Sequence, residues 1–236
     1  MITTDIIIIS YKDQVPLEKC IASIKKHCKD YNLIIEDNNV VNNGFTKAVN
    51  NGVRKGTAPY IWLVNSDALI RDKKTQQALI DRFSYCPQVG VVGSMQVDFD
   101  NHDLIRHAGT VRAFPGGIHK NGLISMGHGR VPEKQTWVNF ASVMFSRSMY
   151  NDIGPLDESM FLIYSDSDYC YFARSKGYEV WYEPRSMVYH KLNASKTVTE
   201  WHKKDMEAFM EKWGIVPAPN GNFMYSALFS KLDMFP

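Results

Sequence analysis

Three short apolar runs, each closed by polar residues, set the rhythm of the first part of the chain. Ile6 to Ile9 lies between Asp5 and the pair Ser10 and Tyr11; Leu33 to Ile35 ends in Glu36, Asp37, Asn38 and Asn39; Tyr60 to Val64 runs into Asn65, Ser66 and Asp67. Continuous runs of this kind fit strands buried on both faces. Between them the period changes. After Pro16, apolar residues fall at Leu17, Cys20, Ile21, Ile24 and Cys28, and later at Phe45, Ala48, Val49 and Gly52, with Gly56 as a stop. These are the spacings of helices with one apolar face. Strand, helix, strand, helix, strand predicts a parallel sheet wound with right-handed crossovers. In such sheets ligands bind outside the carboxyl ends of the strands. All three predicted strands end there in polar residues: Ser10 and Tyr11, Asp37 and Asn38, and Asn65, Ser66 and Asp67. A carboxylate such as Asp67, delivered by a stiff strand, suits a cation held against an anionic ligand. The same triplet also reads as a turn and helix cap.

Further along, Lys73 to Tyr85 has helical spacing and stops before Pro87, and Val89 to Gly93 reads as another buried strand. From Asp98 to Lys134 the period fails, in a run rich in glycine and asparagine that carries His102, His107, His119 and His128. Their spacing lacks the regularity of a zinc site, so they read as solvated or substrate-facing. A loop of this length is commonly functional. Trp137 to Ser146 predicts a strand. Asp166 and Asp168 then stand where a helix from Tyr169 to Lys176 begins, near the positive end of its dipole, with one of the pair as its cap. Gly177 ends that helix, and Glu179 to Pro184 and Met187 to His190 predict two strands. Thr199 opens a helix bearing Trp201, Met206, Phe209, Met210 and Trp213, with Lys203, Lys204 and Glu207 outward. A polar face of mixed sign suits docking on the core rather than on a membrane. Residues 217–236, with Pro217, Pro219 and Gly221, read as an irregular tail. Its Phe223, Tyr225, Leu228 and Phe229 call for a packing partner, a second copy of the chain among the options.

Bulk composition narrows the function more than it names it. A chain of 236 residues with 44% hydrophobic content supports one sizeable core. A formal charge of +2 gives no reason to expect a general nucleic-acid binder. Cys20, Cys28, Cys86 and Cys170 lack CxxC or zinc spacing and read as core thiols of a reducing compartment. No signal peptide or apolar span is visible, so the expectation is a soluble, cytoplasmic protein. Neither GxGxxG nor GxxxxGK[ST] occurs, which weighs against a dehydrogenase or a P-loop NTPase. A diphosphate held without a glycine loop calls for a cation, and Asp67 is the candidate ligand.

Taken as an ordered set, these motifs resemble those of family 2 glycosyltransferases, in a rhamnosyltransferase-like subgroup. The family's first strand ends in Ser-Tyr-Asn, here Ser10, Tyr11 and Lys12; its second ends in Asp-Asn, here Asp37 and Asn38. Its Asn-x-Gly-Phe-x-x-Ala-x-Asn-x-Gly helix is matched by Asn43, Gly44, Phe45, Ala48, Asn50 and Gly52, and its Asn-Pro-Asp-Ala by Asn65, Ser66, Asp67 and Ala68. Phe161 to Asp168 resembles Phe-Leu-Tyr-x-Glu-Asp-x-Asp with Ser165 for the glutamate, and Gly177, Tyr178, Pro184 and His190 follow in the family's order. Asp205, Phe209, Lys212, Trp213 and Gly214 resemble the closing helix, so the likeness covers about residues 5–214.

The resemblance implies an α/β fold of GT-A type, with a Rossmann-like, mostly parallel central sheet flanked by helices. One domain would span residues 1–214, divided into a nucleotide-binding half (1–97) and an acceptor and catalytic half (98–214), before a tail at 215–236. It implies an inverting hexosyl- or deoxyhexosyltransferase that moves a sugar from a UDP- or dTDP-sugar to an acceptor hydroxyl. Asp37 would bind the base, and Ser10, Tyr11, Asn38, Asn43, Lys47, Asn65 and Ser66 would line the nucleotide site. Asp67 would hold Mn2+ or Mg2+ on the diphosphate with help from His190. Asp166 would be the general base, with Asp168 as the alternative or as its orienting partner. Lys191 and Lys196 would reach the diphosphate, and 98–134 would be an acceptor-side loop. The small Ala141 and Ser142 would leave room for a sugar ring or simply pack. A glycan or protein is the leading acceptor, with modified DNA or a small molecule behind. Two departures matter: Lys12 replaces an asparagine, and Asn65 replaces an aspartate, leaving the metal site one negative charge lighter. A sugar-phosphate nucleotidyltransferase is a rival reading, although its glycine-rich signature is missing. A catalytically silent binding module is the other, suggested by Asn65 and Ser165.

Overall fold

β1 (Thr4–Ser10) is the strand around which the N-terminal elements are arranged in the computed structural model, which describes residues 1–114, 117–190, 199–219 and 221–234. α1 (Gln14–His27) covers one face of the sheet, where Leu17, Cys20 and Ile24 pack with Ile6 and Ile8. α2 (Gly44–Arg54) covers the other, where Val49 and Val53 pack with Ile7. The alternation of side chains along a strand sends successive isoleucines to opposite layers. β2 (Tyr31–Asp37) and β3 (Tyr60–Val64) both run parallel to β1, one on each side. The strand order therefore reverses at β1, which opens a crevice outside the carboxyl ends.

Beyond β3 come β4 (Ala68–Ile70), α3 (Thr75–Phe83) and the long β5 (Val89–Asp98). Five short strands follow: β6 (Leu104–His107), β7 (Thr110–Arg112), β8 (Ile118–His119), β9 (Gly122–Leu123) and β10 (Glu133–Lys134). Strands this short establish no period, which is why 98–134 looks patternless as sequence. The chain continues through β11 (Ser142–Ser146), α4 (Arg147–Ile153), α5 (Ser165–Ser175) and β12 (Glu179–His190). It closes with α6 (Thr199–Trp213), the hairpin of β13 (Val216–Pro217) and β14 (Phe223–Met224), and α7 (Ala227–Met234). The central sheet has the order β10-β12-β5-β11-β3-β1-β2. Its longest ladders, β5 with β12 and β1 with β2, are parallel, and β11 is inserted antiparallel between β5 and β3. The architecture is α/β with a mostly parallel central sheet and flanking helices.

Several elements differ from the pattern-based expectation. Only Ser142–Ser146 of the predicted 137–146 strand joins the sheet. Upstream, side chains supply the backbone's partners: Thr110 Oγ1 donates to the Trp137 carbonyl and the Ala141 N–H donates to Asn139 Oδ1. Glu179–His190 is one strand, not two. Its ladder with β5 shifts register between Glu183 and Met187, the stretch where Pro184 has no N–H to offer. α5 begins at Ser165, so Asp166 and Asp168 lie inside its first turn and neither caps it. Among its described residues the tail forms β14 and α7, and Phe229 and Leu232 of α7 enter the same core as Trp213 and Phe209. That apolar demand is met within the chain, while Tyr225 and Leu228 stay exposed. Ser142 is fully buried and bonded to Trp62 Nε1 and Ser94, so it packs within the sheet. The cysteines are free thiols, three of them buried.

Candidate active site

Asp67 and His190 meet because of a strand that the sequence pattern does not announce. β4 lies antiparallel to the end of β12, with Ala68 opposite His190. Asp67, one residue before β4, is thereby set beside the ring, and Asp67 Oδ1 lies 3.3 Å from His190 Nε2. The other ring nitrogen, Nδ1, is 3.1 Å from Gln96 Oε1 on β5. An amide oxygen only accepts, so Nδ1 donates to it, and Nε2 is the ring nitrogen turned toward Asp67. An imidazole nitrogen held in this orientation beside a carboxylate is a donor pair that fits Mn2+ or Mg2+. Among the described residues no group of three or more His, Cys, Asp or Glu side chains gathers for a metal.

The two aspartates of α5 have different surroundings. Asp168 is buried, and both of its oxygens are engaged: Lys212 Nζ at 2.8 Å on one and Trp213 Nε1 at 2.9 Å on the other. Burial raises its carboxyl above the ordinary value, opposed by Lys212. It ties α6 to α5. Asp166 is half-buried, accepts the Ser167 N–H at 2.8 Å, and faces Asn139 Nδ2 at 3.5 Å. Burial pushes its carboxyl up to about 6, with the backbone bond to Ser167 opposing the shift. A carboxylate with that value exchanges protons near neutrality, as a general base must.

The loop before α5 is held from outside. Asp205 of α6 is buried and accepts the N–H groups of Phe161, Leu162 and Ile163 at 2.7–2.8 Å. Tyr164 then takes a left-handed conformation, φ 65°, from which α5 starts. On the other side Gly44, at φ 77°, lies so near Phe161 that a Cβ there would come within 2.6 Å of its ring and carbonyl. The Phe45 N–H donates to that carbonyl at 2.8 Å. Gly44 thus joins α2 to the loop before α5. Asn50, fully buried, clamps Leu156 with both ends of its amide.

At the strand ends the predicted nucleotide residues sort into two groups. Asp37 is exposed. Its Oδ1 takes the backbone and side-chain N–H groups of Asn39, which hold the carboxyl below the ordinary value, and its Oδ2 has no partner among the described residues. Tyr11 and Lys47 are exposed, and Asn43 is half-buried with its amide donating to the Val41 carbonyl. Asn38, by contrast, is buried with its amide on the Gly44 carbonyl, and Ser10 is buried and donates to Asp13. Asn65 donates its N–H to the Ala141 carbonyl and turns the chain toward Asp67, and Ser66 is buried. Lys12, in place of the usual asparagine, sits at φ 54°, in the left-handed region that asparagine enters more readily than lysine. Lys191 and Lys196 lie outside the described residues.

The four loop histidines divide likewise. His102 and His128 are exposed, His102 stacked on Tyr189. His107 is neither solvated nor free to face a substrate: it is 1% exposed, with Nδ1 2.8 Å from His119 Nδ1 and Nε2 accepting the Asn139 N–H at 3.4 Å. Burial drives it well below the ordinary imidazole range, so it stays neutral. Asn139 and Gln96 are the site residues that sequence reasoning misses, each signalled only as a lone polar residue between apolar neighbours, whereas Asp205 is marked by its likeness to the closing helix.

The family model for glycosyltransferase-like family 2 matches residues 1–208. The chain belongs to this family. No curated protein sequence matches this family 2 chain. Among solved structures, GalNAc-T7 with UDP, GalNAc and Mn2+ aligns with a TM-score of 0.71 at 12% identity, over 90% of this chain and 49% of that one. The mannosyltransferase PcManGT from Pyrobaculum calidifontis, in complex with GDP-Man and Mn2+, aligns with a TM-score of 0.63 at 12% identity, over 97% and 67%. At such identity the likeness is one of fold, the GT-A fold, and the chain spans about half the length of the first. Among the described residues no helix is long and apolar enough to cross a membrane.

Proposed function

We propose that this family 2 chain is a nucleotide-sugar glycosyltransferase that works by a single inverting displacement, in the manner of the rhamnosyltransferase-like members its motifs resemble. The observation that carries this reading is the series of contacts that links the Asp67–His190 pair, through Gln96 and Asn139, to the half-buried Asp166. In this reading Asp166 takes the proton of the acceptor hydroxyl as its oxygen bonds to the anomeric carbon. The bond from that carbon to the diphosphate breaks on the opposite face and the nucleoside diphosphate leaves. Asp67 and His190 would hold Mn2+ or Mg2+, which supplies positive charge to offset that of the diphosphate. Asp168 is the anchor of α6 rather than the base, because both of its oxygens are already engaged.

Asp37 Oδ2 is the acceptor offered to the base. The imide N–H of uracil or thymine suits it, and so does the N1–H edge of guanine, so GDP-sugars belong in any donor panel beside UDP- and dTDP-sugars. Residues 1–97 serve the donor in this scheme, and 98–214 serve the acceptor, with a glycan or protein hydroxyl as the leading candidate.

Incubating the protein with a panel of UDP-, dTDP- and GDP-sugars, with Mn2+ or with EDTA, tests this. The expected result is release of one nucleoside diphosphate, lost on chelation. Asp166→Asn should lower transfer by 10²-fold or more, in the range of about 10²–10⁴ for a general base, while donor binding is retained. Full activity in that variant refutes the base assignment. Asn65, standing where the family has an aspartate, favours the second reading, a silent binding module. Nucleotide binding with no release from any donor would select it.

A further inference from the structure

We infer that Gln96 and Asn139 are positioning residues that set the metal-side His190 and the base Asp166 as one unit, with direction imposed by a single backbone N–H. The inference rests on the functional reading above and concerns residues to which that reading gives no role. Four contacts run in series across the sheet, and a fifth enters at Asn139. Asp67 Oδ1 is 3.3 Å from His190 Nε2, and His190 Nδ1 is 3.1 Å from Gln96 Oε1. Gln96 Nε2 donates to Asn139 Oδ1 at 2.9 Å, and Asn139 Nδ2 donates to Asp166 Oδ2 at 3.5 Å. The fifth contact, from the Ala141 N–H to Asn139 Oδ1 at 2.9 Å, decides the polarity of the others.

A backbone N–H can only donate, so the Asn139 atom facing it is the oxygen. Asn139 Oδ1 in turn requires a donor from Gln96, which therefore presents Nε2 there and Oε1 to the histidine. His190 must then donate through Nδ1, which leaves Nε2 as the nitrogen facing Asp67. At the other end the same constraint leaves Asn139 Nδ2 to face Asp166, where a donor favours the ionised form and points the carboxylate. Reversing either amide would set donor against donor at Ala141 or acceptor against acceptor between the two amides. Gln96 is only 2% exposed, so no water is at hand to rescue a broken link. The weakest link is the 3.5 Å step to Asp166, a kind of contact that is long in a free enzyme and tightens with substrate bound. β5 places Gln96 on the histidine's side of the ladder, with Gln96 opposite Val188 and His190 two residues on.

The test uses Gln96→Met, which keeps length and removes both polar ends, and Asn139→Ala, which enters from the half-buried end. Mn2+ binding is read directly, by the loss of the free-ion electron paramagnetic resonance signal, with UDP and with GDP and without turnover. Circular dichroism checks that each variant is folded. Partners that orient a metal-binding histidine are worth about 10–100-fold in metal affinity, and Gln96→Met should lose that much. Asn139→Ala should weaken Mn2+ binding in the same direction although it touches no metal ligand. The double variant should bind no worse than Gln96→Met alone, because members of one unit do not add. With a donor that turns over, Asn139→Ala should lower kcat and leave the donor KM unchanged. Wild-type Mn2+ affinity in either folded variant overturns the inference, as do losses that add in the double variant. If Gln96→Met does not fold, Asn139→Ala alone decides. Absence of Mn2+ binding by the wild-type protein with either nucleotide is a different failure. It overturns the metal site itself, and the positioning role with it.

Discussion

Asp166 and Asp168 are two residues apart in one helical turn, and their environments separate their roles. Asp168 spends its charge on Lys212 and Trp213. Asp166 has weaker company, and burial carries it to about 6. A carboxyl whose folded value lies above its unfolded one binds its proton more tightly in the native state. Its contribution to stability is therefore full below about 4 and is lost as pH rises through about 6. Asp166→Asn should accordingly raise unfolding stability at pH 8 by about 1 kcal/mol, after allowance for partial exposure, and leave it unchanged below pH 4. Urea unfolding at the two pH values measures this, and equal gains at both would contradict it. Turnover has the opposite sign: as the proposed base, Asp166 would act when ionised, so kcat/KM should climb as pH passes about 6 and level off above.

At the scale of elements, the site depends on how α6 docks. Its Asp205 accepts three successive N–H groups from the loop that delivers α5, and it is 1% exposed. Removing the carboxylate strands buried donors that cost about 1–3 kcal/mol each. Asp205→Ala should therefore destabilise the fold by about 3 kcal/mol or more. Asp205→Asn, which keeps one acceptor oxygen, should fall between it and the wild type. Denaturant titration reads the order, and an alanine variant as stable as wild type would show that the loop holds itself. The same helix brings Phe209 and Trp213 into the core shared with Tyr171 and Phe229. Its apolar face and its carboxylate serve one purpose.

For the whole molecule, the candidate site draws on elements far apart in sequence: Asp37 from β2, Asp67 before β4, His190 from β12 and Asp166 on α5. A ligand that bridges such elements stabilises the native state by mass action, about 2.7 kcal/mol at a hundredfold excess over Kd. For a chain of 236 residues that is a rise of about 5–10 °C in Tm. UDP or GDP with Mn2+ should produce such a shift in a thermal melt, and EDTA should abolish most of it. An equal shift with EDTA present would mean that nucleotide binds without a metal at Asp67 and His190.

Local pattern was enough for β1, β2, β3, α1 and α2, because continuous β-branched runs and three-and-four spacing read directly as buried strands and one-faced helices. It also supplied the polar strand ends that mark Asp37 and Asp67, and the ordered motifs that marked Asp166 and His190 as candidates. What it lacked were partners chosen by distance in space. Asp67 stands beside His190 only because the three-residue β4 pairs with β12 across more than a hundred intervening positions. Gln96 and Asn139 join the site through hydrogen bonds between segments that share no pattern. Asp166 and Asp168 look alike as sequence, and only α6, folding back from the far end of the chain, tells them apart. Periodicity records which face a residue buries. Hydrogen-bond polarity and burial of a single charge are set by neighbours that only the tertiary structure supplies.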